Sequence, residues 1–378
     1  MTGNRAAAKV DGVNAPVSVQ GDGASHAALR ELVVVGAGPA GLATAGVARR
    51  LGFEPLVIDR ADAVGGAWAK MRPMMRCLSP RRYDRMPDGS TPEGPGERAS
   101  AAEVLAWLRR FAALELFDMR LNTAVEAATA TAAGWHLETS SGAIQTRRLV
   151  VATGEYGRPR TPQIPGTFSG PSDHSSTARI DSFDPASHVL VVGAGNSAAE
   201  IVSLLLDRGC KVTVAARSGL DEPAGVATGW LAEVRWQISG LPIHSGPLGW
   251  LPVAVLGGPG GCVASTPVVD SVLHDAAKSG RIRVVGAAMD LKEHAVRCEG
   301  AGEVSCDRIV WATGFVRETS WLPATVSIDG DGVARQLEGV SQQVKGLGFV
   351  GIPCQRTRRS GFMRGFVDDA RIVLERLA

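Results

Sequence analysis

The sequence has 378 residues, enough for two or three domains that each have a hydrophobic core. Its 40 basic and 38 acidic residues leave a net charge of +2, which argues against a nucleic acid or an anionic membrane as the main partner. This composition favours small-molecule ligands.

The segment 1–28 is rich in Ala, Gly, Ser and Val and contains no continuous apolar stretch, so it fits neither a signal peptide nor a membrane anchor. We expect residues 1–28 to be a disordered lead-in. The six cysteines are far apart and form no CxxC pair, which predicts free thiols and a reducing compartment, the cytoplasm.

A phosphate-binding turn is predicted in the stretch LVVVGAGPAG, residues 32–41. The apolar run indicates a buried parallel strand, and Gly36, Gly38 and Gly41 follow with GxGxxG spacing on the turn into a helix. The next predicted strand ends at Asp59. Dinucleotide-binding domains have an acidic residue at about this distance from the first glycine. A carboxylate there suits an unphosphorylated ribose, such as that of FAD.

The region after this motif predicts one helix and several strands. Ser100 and Glu103 form a capping-box pattern at the start of a helix that runs to about Phe117. Three short β segments are predicted near 121–126, 135–139 and 149–153.

The opening pattern returns as VLVVGAGNSAAE, with Gly193 and Gly195 on the predicted turn. The sequence Ala-Thr-Gly also occurs twice, at 152–154 and at 312–314. The distance along the chain between these two copies is nearly the same as the distance between the two glycine turns. Two pairs of motifs at nearly one offset predict two similar dinucleotide-binding domains. The third glycine is replaced by Ala198, which the fingerprint tolerates.

The second copy differs from the first in the residue that ends its next strand. Arg217 stands after that strand, whereas the first copy has Asp59 at the matching place. A guanidinium can pair with a 2′-phosphate that a carboxylate would repel. We therefore predict that the second site prefers NADPH to NADH, with a solvated surface arginine as the alternative interpretation.

The last third of the chain is predicted to return to the first domain, through segments at 307–314 and 346–351 and a helix over about 362–377. We expect the N-terminus of this helix to lie against a flavin ring, where its dipole would stabilise negative charge on the reduced form.

Further motifs complete a recognisable pattern. Phe168 to His174 has FxGxxxH spacing, and Gly65-Gly66-Ala67-Trp68 combines glycines that allow close approach to a planar ligand with an aromatic that can pack beside it. The whole resembles flavoproteins with two dinucleotide-binding domains, and within them the flavin-containing monooxygenases, particularly the short soluble type of the plant auxin pathway. The resemblance covers nearly everything from residue 32 onward and also rests on 79–87, 150–166, 196–197, 266–270 and 307–315.

The resemblance implies an α/β fold with two Rossmann-like domains, in which a glutathione-reductase-like FAD domain carries an inserted NADPH domain. We expect the FAD domain over 29–155 and 307–378 and the NADPH domain over 156–306. The implied activity is an FAD-dependent, NADPH-consuming monooxygenase. It would act on a small organic substrate, by N- or S-oxygenation or hydroxylation, through a C4a-hydroperoxyflavin. The expected partners are that substrate and molecular oxygen, without nucleic acid or stable membrane insertion; the oligomeric state stays open, with a homodimer as one option.

The resemblance and the motifs together assign site residues. The candidates for a catalytic side chain are His174 and Ser79, and His174 is equally well interpreted as a hydrogen-bonded linker. No metal site is predicted. The residues expected to bind the cofactors are Gly36, Gly38, Pro39, Ala40, Gly41, Asp59, Arg60, Gly66, Trp68, Val125, Thr153, Gly154, Gly193, Gly195, Asn196, Ser197, Ala198, Arg217, Thr313 and Gly314.

Two positions depart from the family pattern. The aromatic residue expected four positions after the signature histidine is Ala178. The asparagine that many of these enzymes place beside the flavin has no clear counterpart, because Leu78 and Ser79 occupy that neighbourhood.

Other functions remain open. Baeyer–Villiger monooxygenases usually have Arg-Cys-Asp where this chain has Arg76-Cys77-Leu78, so this alternative ranks second. A disulfide reductase would need a CxxC or CxxxxC pair, which the chain lacks, but a ferredoxin or quinone reductase would not. We expect the substrate site within residues 222–263, a segment rich in Trp, Gly and Pro.

Overall fold

The computed structural model describes residues 28–221, 234, 268–330 and 332–378. Within them lie five α-helices, α1 to α5 in chain order, at Pro39–Arg50, Ala101–Glu115, Asn196–Arg208, Val272–Lys278 and Met363–Leu377. The same residues contain nineteen strands, β1 to β19, at Arg30–Val35, Pro55–Ile58, Asp118–Arg120, Val125–Thr131, Gly134–Thr139, Ile144–Val151, Arg158–Pro159, Ser172–His174, His188–Val192, Lys211–Ala215, Ile282–Val285, Ala288–Lys292, Ala295–Cys298, Gly302–Ser305, Arg308–Trp311, Phe315–Val316, Gln336–Leu337, Val340–Ser341 and Leu347–Phe349.

The first sheet is organised around β1, whose valines are buried on both faces. Its strand order is β17-β18-β19-β6-β1-β2-β3, and β19, β6, β1, β2 and β3 run parallel. The antiparallel β4–β5 hairpin joins the sheet beside β6. Because side chains alternate along a strand, Val34 packs towards α1 and α5 while Val33 packs with Trp135 and Phe349 on the other face.

Helices α1, α2 and α5 cover one face of this sheet. Met363 and Phe366 of α5 share a core with Ala40 of α1, and α5 packs along α1. The end of the chain therefore lies on the domain that β1 begins, as the predicted fold class requires.

The second sheet repeats this plan with five parallel strands in the order β11-β10-β9-β15-β8. Helices α3 and α4 pack on one face, and the antiparallel strands β12, β13 and β14 share a core with the other. The predicted fold class is confirmed: two Rossmann-like domains, of which the second is inserted into the first. The predicted domain limits stay predictions.

Contacts between the two domains centre on two arginines that precede α2. The guanidinium of Arg72 donates to the carbonyl oxygens of Ser175 at 3.1 Å and Ala178 at 3.0 Å. Arg98 pairs with Asp270 at 2.7 Å. The Arg72 contacts tie the segment after the Gly65-Gly66 turn to the loop that follows His174, and the Arg98 pair ties it to the segment before α4.

Some boundaries differ from the predictions for local reasons. The capping box is confirmed, since Ser100 and Glu103 exchange both hydrogen bonds, but α2 ends at Glu115 because Leu116 takes a left-handed φ of 49°. The single strand predicted near 121–126 is wrong: β3 and β4 are separated by Asn122, with φ 51°. Asparagine favours this conformation, which breaks an extended segment. Among the described helices, none combines the length and apolar character needed to cross a membrane.

Candidate cofactor and active site

Two of the three glycines in the first turn are required by the backbone itself. Gly36 has φ 117°, and a Cβ there would lie 2.4 Å from the carbonyl oxygen of Ala152. A Cβ on Gly41 would lie 1.7 Å from the carbonyl oxygen of Gly36. At Gly38, with φ −81°, the nearest atom to an added Cβ is the Cα of Gly66 at 3.6 Å. Gly38 therefore leaves a space that the fold does not itself fill.

The helices that follow the two turns begin without side-chain caps. Helix α2 starts with a capping box, whereas no side chain among the described residues caps α1, α3 or α5. Their first-turn N–H groups, with the partial positive charge of the helix dipole, are left for another acceptor. A diphosphate at the start of α1 or α3 fits this arrangement.

Asp59 ties the first turn to the end of β2. Its Oδ2 accepts from the N–H of Ala37 at 2.6 Å, and its Oδ1 accepts from the N–H of Ala61 at 2.8 Å. Each carboxylate oxygen can accept a further hydrogen bond, so ribose hydroxyls can still bind there. The main-chain carbonyl of Asp59 accepts from Thr123 at 2.8 Å, which brings the start of β4, and with it Val125, close to this end of the site.

The Gly65-Gly66 turn lies directly against the first turn. The N–H of Gly65 donates to the carbonyl of Ala37 at 3.0 Å, and a Cβ on Gly66 would come within 2.9 Å of the Cα of Gly38. Trp68 is half-buried against the core that contains α1. Pro39 and Ala40 are the first residues of α1. The predicted cofactor-binding residues of the first turn and of the Gly65-Gly66 turn are therefore neighbours in the fold.

The second turn has the same geometry. A Cβ on Gly193, where φ is 116°, would lie 2.2 Å from the carbonyl oxygen of Ala312, while around Gly195 no described atom lies within 4 Å of an added Cβ. Ala198 is fully buried in place of the third glycine. Arg217 is exposed two residues after the end of β10, and Asp59 directly follows β2.

Helix α3 begins with two polar residues. The side-chain oxygen of Asn196 accepts from the N–H of Val269 at 3.0 Å, which fixes the segment before α4. Ser197 is half-buried beside it.

The two Ala-Thr-Gly motifs lie where the chain crosses between the domains. Thr153 and Gly154 follow β6, and Thr313 and Gly314 follow β15. The next strands, β7 and β16, pair antiparallel, and the N–H of Arg160 donates to the carbonyl of Gly314 at 2.9 Å. The hydroxyl of Thr313 donates back to the carbonyl of Arg160. The crossovers thus form one small hydrogen-bonded unit.

Two arginines bind the first crossover, the segment that follows Thr153 and Gly154. Arg60 donates to the carbonyl of Gly157 at 3.0 Å, and Arg317 pairs with Glu155 at 3.4 Å. Burial raises the pKa of Glu155, and the guanidinium of Arg317 opposes that shift.

His174 is the buried last residue of β8, and its ring is hydrogen-bonded to the second crossover. The N–H of Ser176 donates to Nδ1 at 3.2 Å, so Nε2 carries the proton and donates to the carbonyl of Gly314 at 3.0 Å. Burial lowers the pKa of His174, which favours the neutral ring, and the hydrogen bond to Gly314 opposes this shift. Its ring meets Phe315 edge-on at 4.9 Å between centroids. Both ring nitrogens are engaged, which favours a positioning role over a catalytic one.

We expect His174→Asn to weaken the fold by about 1–3 kcal/mol, because the shorter side chain loses both the hydrogen bond from Nε2 to the carbonyl of Gly314 and the edge-on contact with Phe315. Urea unfolding measures this change, and the absorbance of bound flavin should persist. His294→Asn is the matched control, since His294 is exposed. Unchanged stability together with lost turnover would instead point to a catalytic histidine.

Sequence reasoning missed a buried polar cluster that joins residues 77–84 to the start of α5. Asp84 is fully buried, and its Oδ1 accepts from the hydroxyl of Ser79 at 2.7 Å. Burial raises the pKa of Asp84 to about 7, opposed by Ser79 and by the charge of Arg364. Burial and the charge of Asp84 both raise the pKa of the Cys77 thiol. The predicted candidate Ser79 therefore holds a carboxyl group and is itself only 4% exposed.

A second buried carboxylate fixes the loop before α5. Asp369 accepts from Nε of Arg356 at 3.0 Å, and the hydroxyl of Ser360 accepts from the N–H of Thr357 at 3.1 Å. Burial raises the pKa of Asp369 to about 6. This network shapes the turn that leads into α5.

The cysteines agree only in part with the predicted free thiols. Cys77, Cys210, Cys298 and Cys306 are free and buried, whereas Cys354 is disulfide-bonded, so the expectation was wrong at that position. The predicted lead-in, apart from residue 28, and the predicted substrate region 222–263, apart from residue 234, lie outside the described residues.

Comparisons with known proteins agree with this architecture. The family described as pyridine nucleotide-disulphide oxidoreductase matches residues 33–232. The chain is 31% identical to the indole-3-pyruvate monooxygenase YUCCA1 of Oryza sativa subsp. japonica, over 82% of this chain and 81% of the relative. It is 26% identical to the uncharacterized oxidoreductase CzcO of Bacillus subtilis, over 92% of this chain and 99% of that one.

A solved structure shows the same fold. The flavin-containing monooxygenase from Stenotrophomonas maltophilia superposes with a TM-score of 0.72 at 21% identity, covering 92% of this chain and 97% of that chain. With the two glycine turns and the relatives above, the conclusion is that the chain belongs to the pyridine nucleotide-disulphide oxidoreductase family and, within it, to the flavin-dependent monooxygenases.

Proposed function

We propose that this chain is an FAD-containing, NADPH-dependent monooxygenase that adds oxygen to a small organic substrate at nitrogen, sulfur or carbon. The observation that carries the proposal is the pair of glycine turns. In each turn the space beside the second glycine, Gly38 or Gly195, is not filled by the fold, and the helix that follows has no side-chain cap. Two complete turns in one chain suit a flavin and a nicotinamide dinucleotide that must meet. Family membership supports the oxygenase chemistry.

The first site suits FAD. The space at Gly38 and the N–H groups of α1 would take the diphosphate, and the carboxylate of Asp59 would accept from the adenosine ribose. The flavin, once bound, supplies the hydride acceptance and oxygen activation that no side chain here can supply. The chain's own task is to hold the ring, exclude water and stabilise charge beside it.

The second site suits NADPH. The space at Gly195 and the first turn of α3 would take the diphosphate. The exposed guanidinium of Arg217 would pair with the 2′-phosphate, as the residue after the matching strand does in dinucleotide domains. This assignment predicts discrimination between the two nicotinamide dinucleotides.

We expect Arg217→Ala to raise KM for NADPH by about 10- to 100-fold, the loss of about 1.5–3 kcal/mol from a charge-assisted hydrogen bond. KM for NADH should change little, because NADH has no 2′-phosphate. Steady-state kinetics with both donors measure the ratio, and Lys278→Ala, at the exposed last residue of α4, is a control for the loss of one positive charge. Equal effects on both donors would remove the phosphate-binding role of Arg217.

The wider assignments follow from the same proposal. The FAD domain spans 29–155 and 307–378, the NADPH domain 156–306, and the substrate binds beside residues 222–263. Four buried free thiols favour the cytoplasm, and Cys354 is the exception.

The deciding experiment is rapid mixing followed by absorbance. The protein is reduced with NADPH without oxygen and then mixed with oxygenated buffer. A transient spectrum distinct from both oxidised and reduced flavin, lasting seconds or longer, supports the monooxygenase. Direct return to oxidised flavin with release of hydrogen peroxide, or fast NADPH oxidation by an added acceptor without oxygen, would support a reductase instead.

A further inference from the structure

The cluster of Ser79, Asp84 and Arg364 contains two complementary atoms that are both buried and unpaired. Among the described residues, Oδ2 of Asp84 and Nε of Arg364 have no hydrogen-bond partner. One is an acceptor and the other a donor, and their side chains interact through space. The hydroxyl of Ser79 occupies the other carboxylate oxygen at 2.7 Å. The cluster is therefore a charge-coupled pair whose negative member is held in place by one hydrogen bond.

The location of the pair connects it to the first cofactor site. Arg364 is the second residue of α5, and its guanidinium lies 4.8 Å from the centre of the Phe362 ring. The neighbouring residues Met363 and Phe366 pack in the same core as Ala40, in the first turn of α1. A Cβ on Gly351 would lie 3.1 Å from Cβ of Ala40 and 3.8 Å from Cε1 of Phe366, so the uncapped starts of α1 and α5 lie at one end of the domain. The charge of Arg364 adds to the dipole of α5 there.

We propose that Asp84 is a positioning residue for the flavin: by taking up or releasing a proton it changes the net charge at the start of α5, and through Arg364 it sets the reduction potential of the bound flavin. This inference rests on the proposed binding of FAD at the first turn. With Asp84 protonated, the positive charge of Arg364 is uncompensated and favours the more negative, reduced flavin. With Asp84 ionised, the pair is neutral and that stabilisation is lost.

The surroundings of Asp84 make this transition occur near neutral pH. Burial raises the pKa of Asp84 to about 7, so the carboxyl changes its charge within the working range of most proteins. The groups that face it are Ser79 and Cys77 from its own segment and Arg364 from α5. Arg359 and Tyr83 in turn face Arg364. Cys77 stays neutral because burial and Asp84 raise its thiol pKa.

The test is the midpoint potential of the flavin as a function of pH, measured on the purified flavoprotein with a reference dye. In the wild type the potential should fall more steeply between pH 6 and 8 than in Asp84→Asn, which cannot ionise. At pH 8.5 the variant should favour reduced flavin about tenfold more than the wild type, about 30 mV for a two-electron couple. At pH 5.5 the two potentials should coincide.

Two further variants separate this role from a structural one. Ser79→Ala removes a hydrogen bond that lowers the pKa of Asp84, so the steep region should move to higher pH. Asp88→Asn makes the same substitution at a nearby carboxylate on the exposed side of this segment and should behave as wild type. A shift in Asp84→Asn that is equal at pH 5.5 and 8.5, or no shift at all, overturns the inference. A wild-type protein that binds no flavin would overturn the proposed function instead, so the two failures are distinct.

Discussion

A Gly38→Val chain is expected to fold and to lose its flavin. The backbone at Gly38 has φ −81°, which any residue adopts, and an added Cβ meets only the Cα of Gly66 at an ordinary 3.6 Å. The valine side chain would instead occupy the space proposed for the diphosphate of FAD. We expect the affinity for FAD to fall at least about 100-fold, roughly 3 kcal/mol, so the protein should purify without yellow colour.

Gly195→Val is the matched control in the second domain. Around Gly195 the described part of the chain leaves the space beside an added Cβ empty, and φ is −83°. This variant should keep FAD and lose reduction by NADPH, whereas Gly38→Val should lose the flavin itself. Flavin absorbance of both variants, together with the rate of anaerobic reduction of Gly195→Val, distinguishes the two sites.

Gly41→Ala should fail differently from both. Its Cβ would lie 1.7 Å from the carbonyl oxygen of Gly36, so the turn must distort and thermal stability should drop even without cofactor. If Gly38→Val keeps full flavin content, or if it loses stability as Gly41→Ala does, the proposed diphosphate position is wrong.

The sequence predicted the parts of the fold that depend on local patterns. The turns at Gly36 and Gly193 were predictable because only glycine adopts their φ beside a neighbouring carbonyl, and the buried strands next to them consist largely of valines. The repeat of both motifs at nearly one offset was enough to indicate two similar domains. The capping box at Ser100 is likewise a local signal, since its two hydrogen bonds join Ser100 to Glu103 within one helical turn.

The parts that the sequence did not predict depend on contacts between distant segments. Asp84 and Arg364 are separated by most of the chain, and although Asp84 lies in the stretch 79–87 that resembles the family, nothing in that stretch indicates a partner near residue 364. The role of His174 depends on the N–H of Ser176 and the carbonyl of Gly314, and the spacing of the FxGxxxH signature does not reveal either bond. Burial of a polar group can be known only once the elements that cover it are placed.

Replacing Asp84 with Asn should also change how the stability of the fold depends on pH. Burial raises the pKa of Asp84 from an ordinary 3.8 to about 7, so the folded chain binds this proton more tightly than the unfolded chain. The protonated carboxyl of Asp84 makes its full contribution to the free energy of unfolding below pH 4. This contribution is lost as the pH rises to 7, because the buried carboxyl must then ionise. The wild type should lose about 4 kcal/mol over this window relative to Asp84→Asn.

Urea unfolding of the flavin-free proteins between pH 4 and 8 measures that difference, and other titrating groups such as Asp369 cancel because both proteins contain them. The gap in free energy of unfolding should widen from pH 4 to 7 and then level off. A gap that is constant with pH would mean that Asp84 stays ionised throughout, with its Oδ2 paired to Arg364 in solution. In that case the same carboxyl group could not adjust the flavin potential near neutral pH, so this measurement on flavin-free protein independently limits the redox proposal.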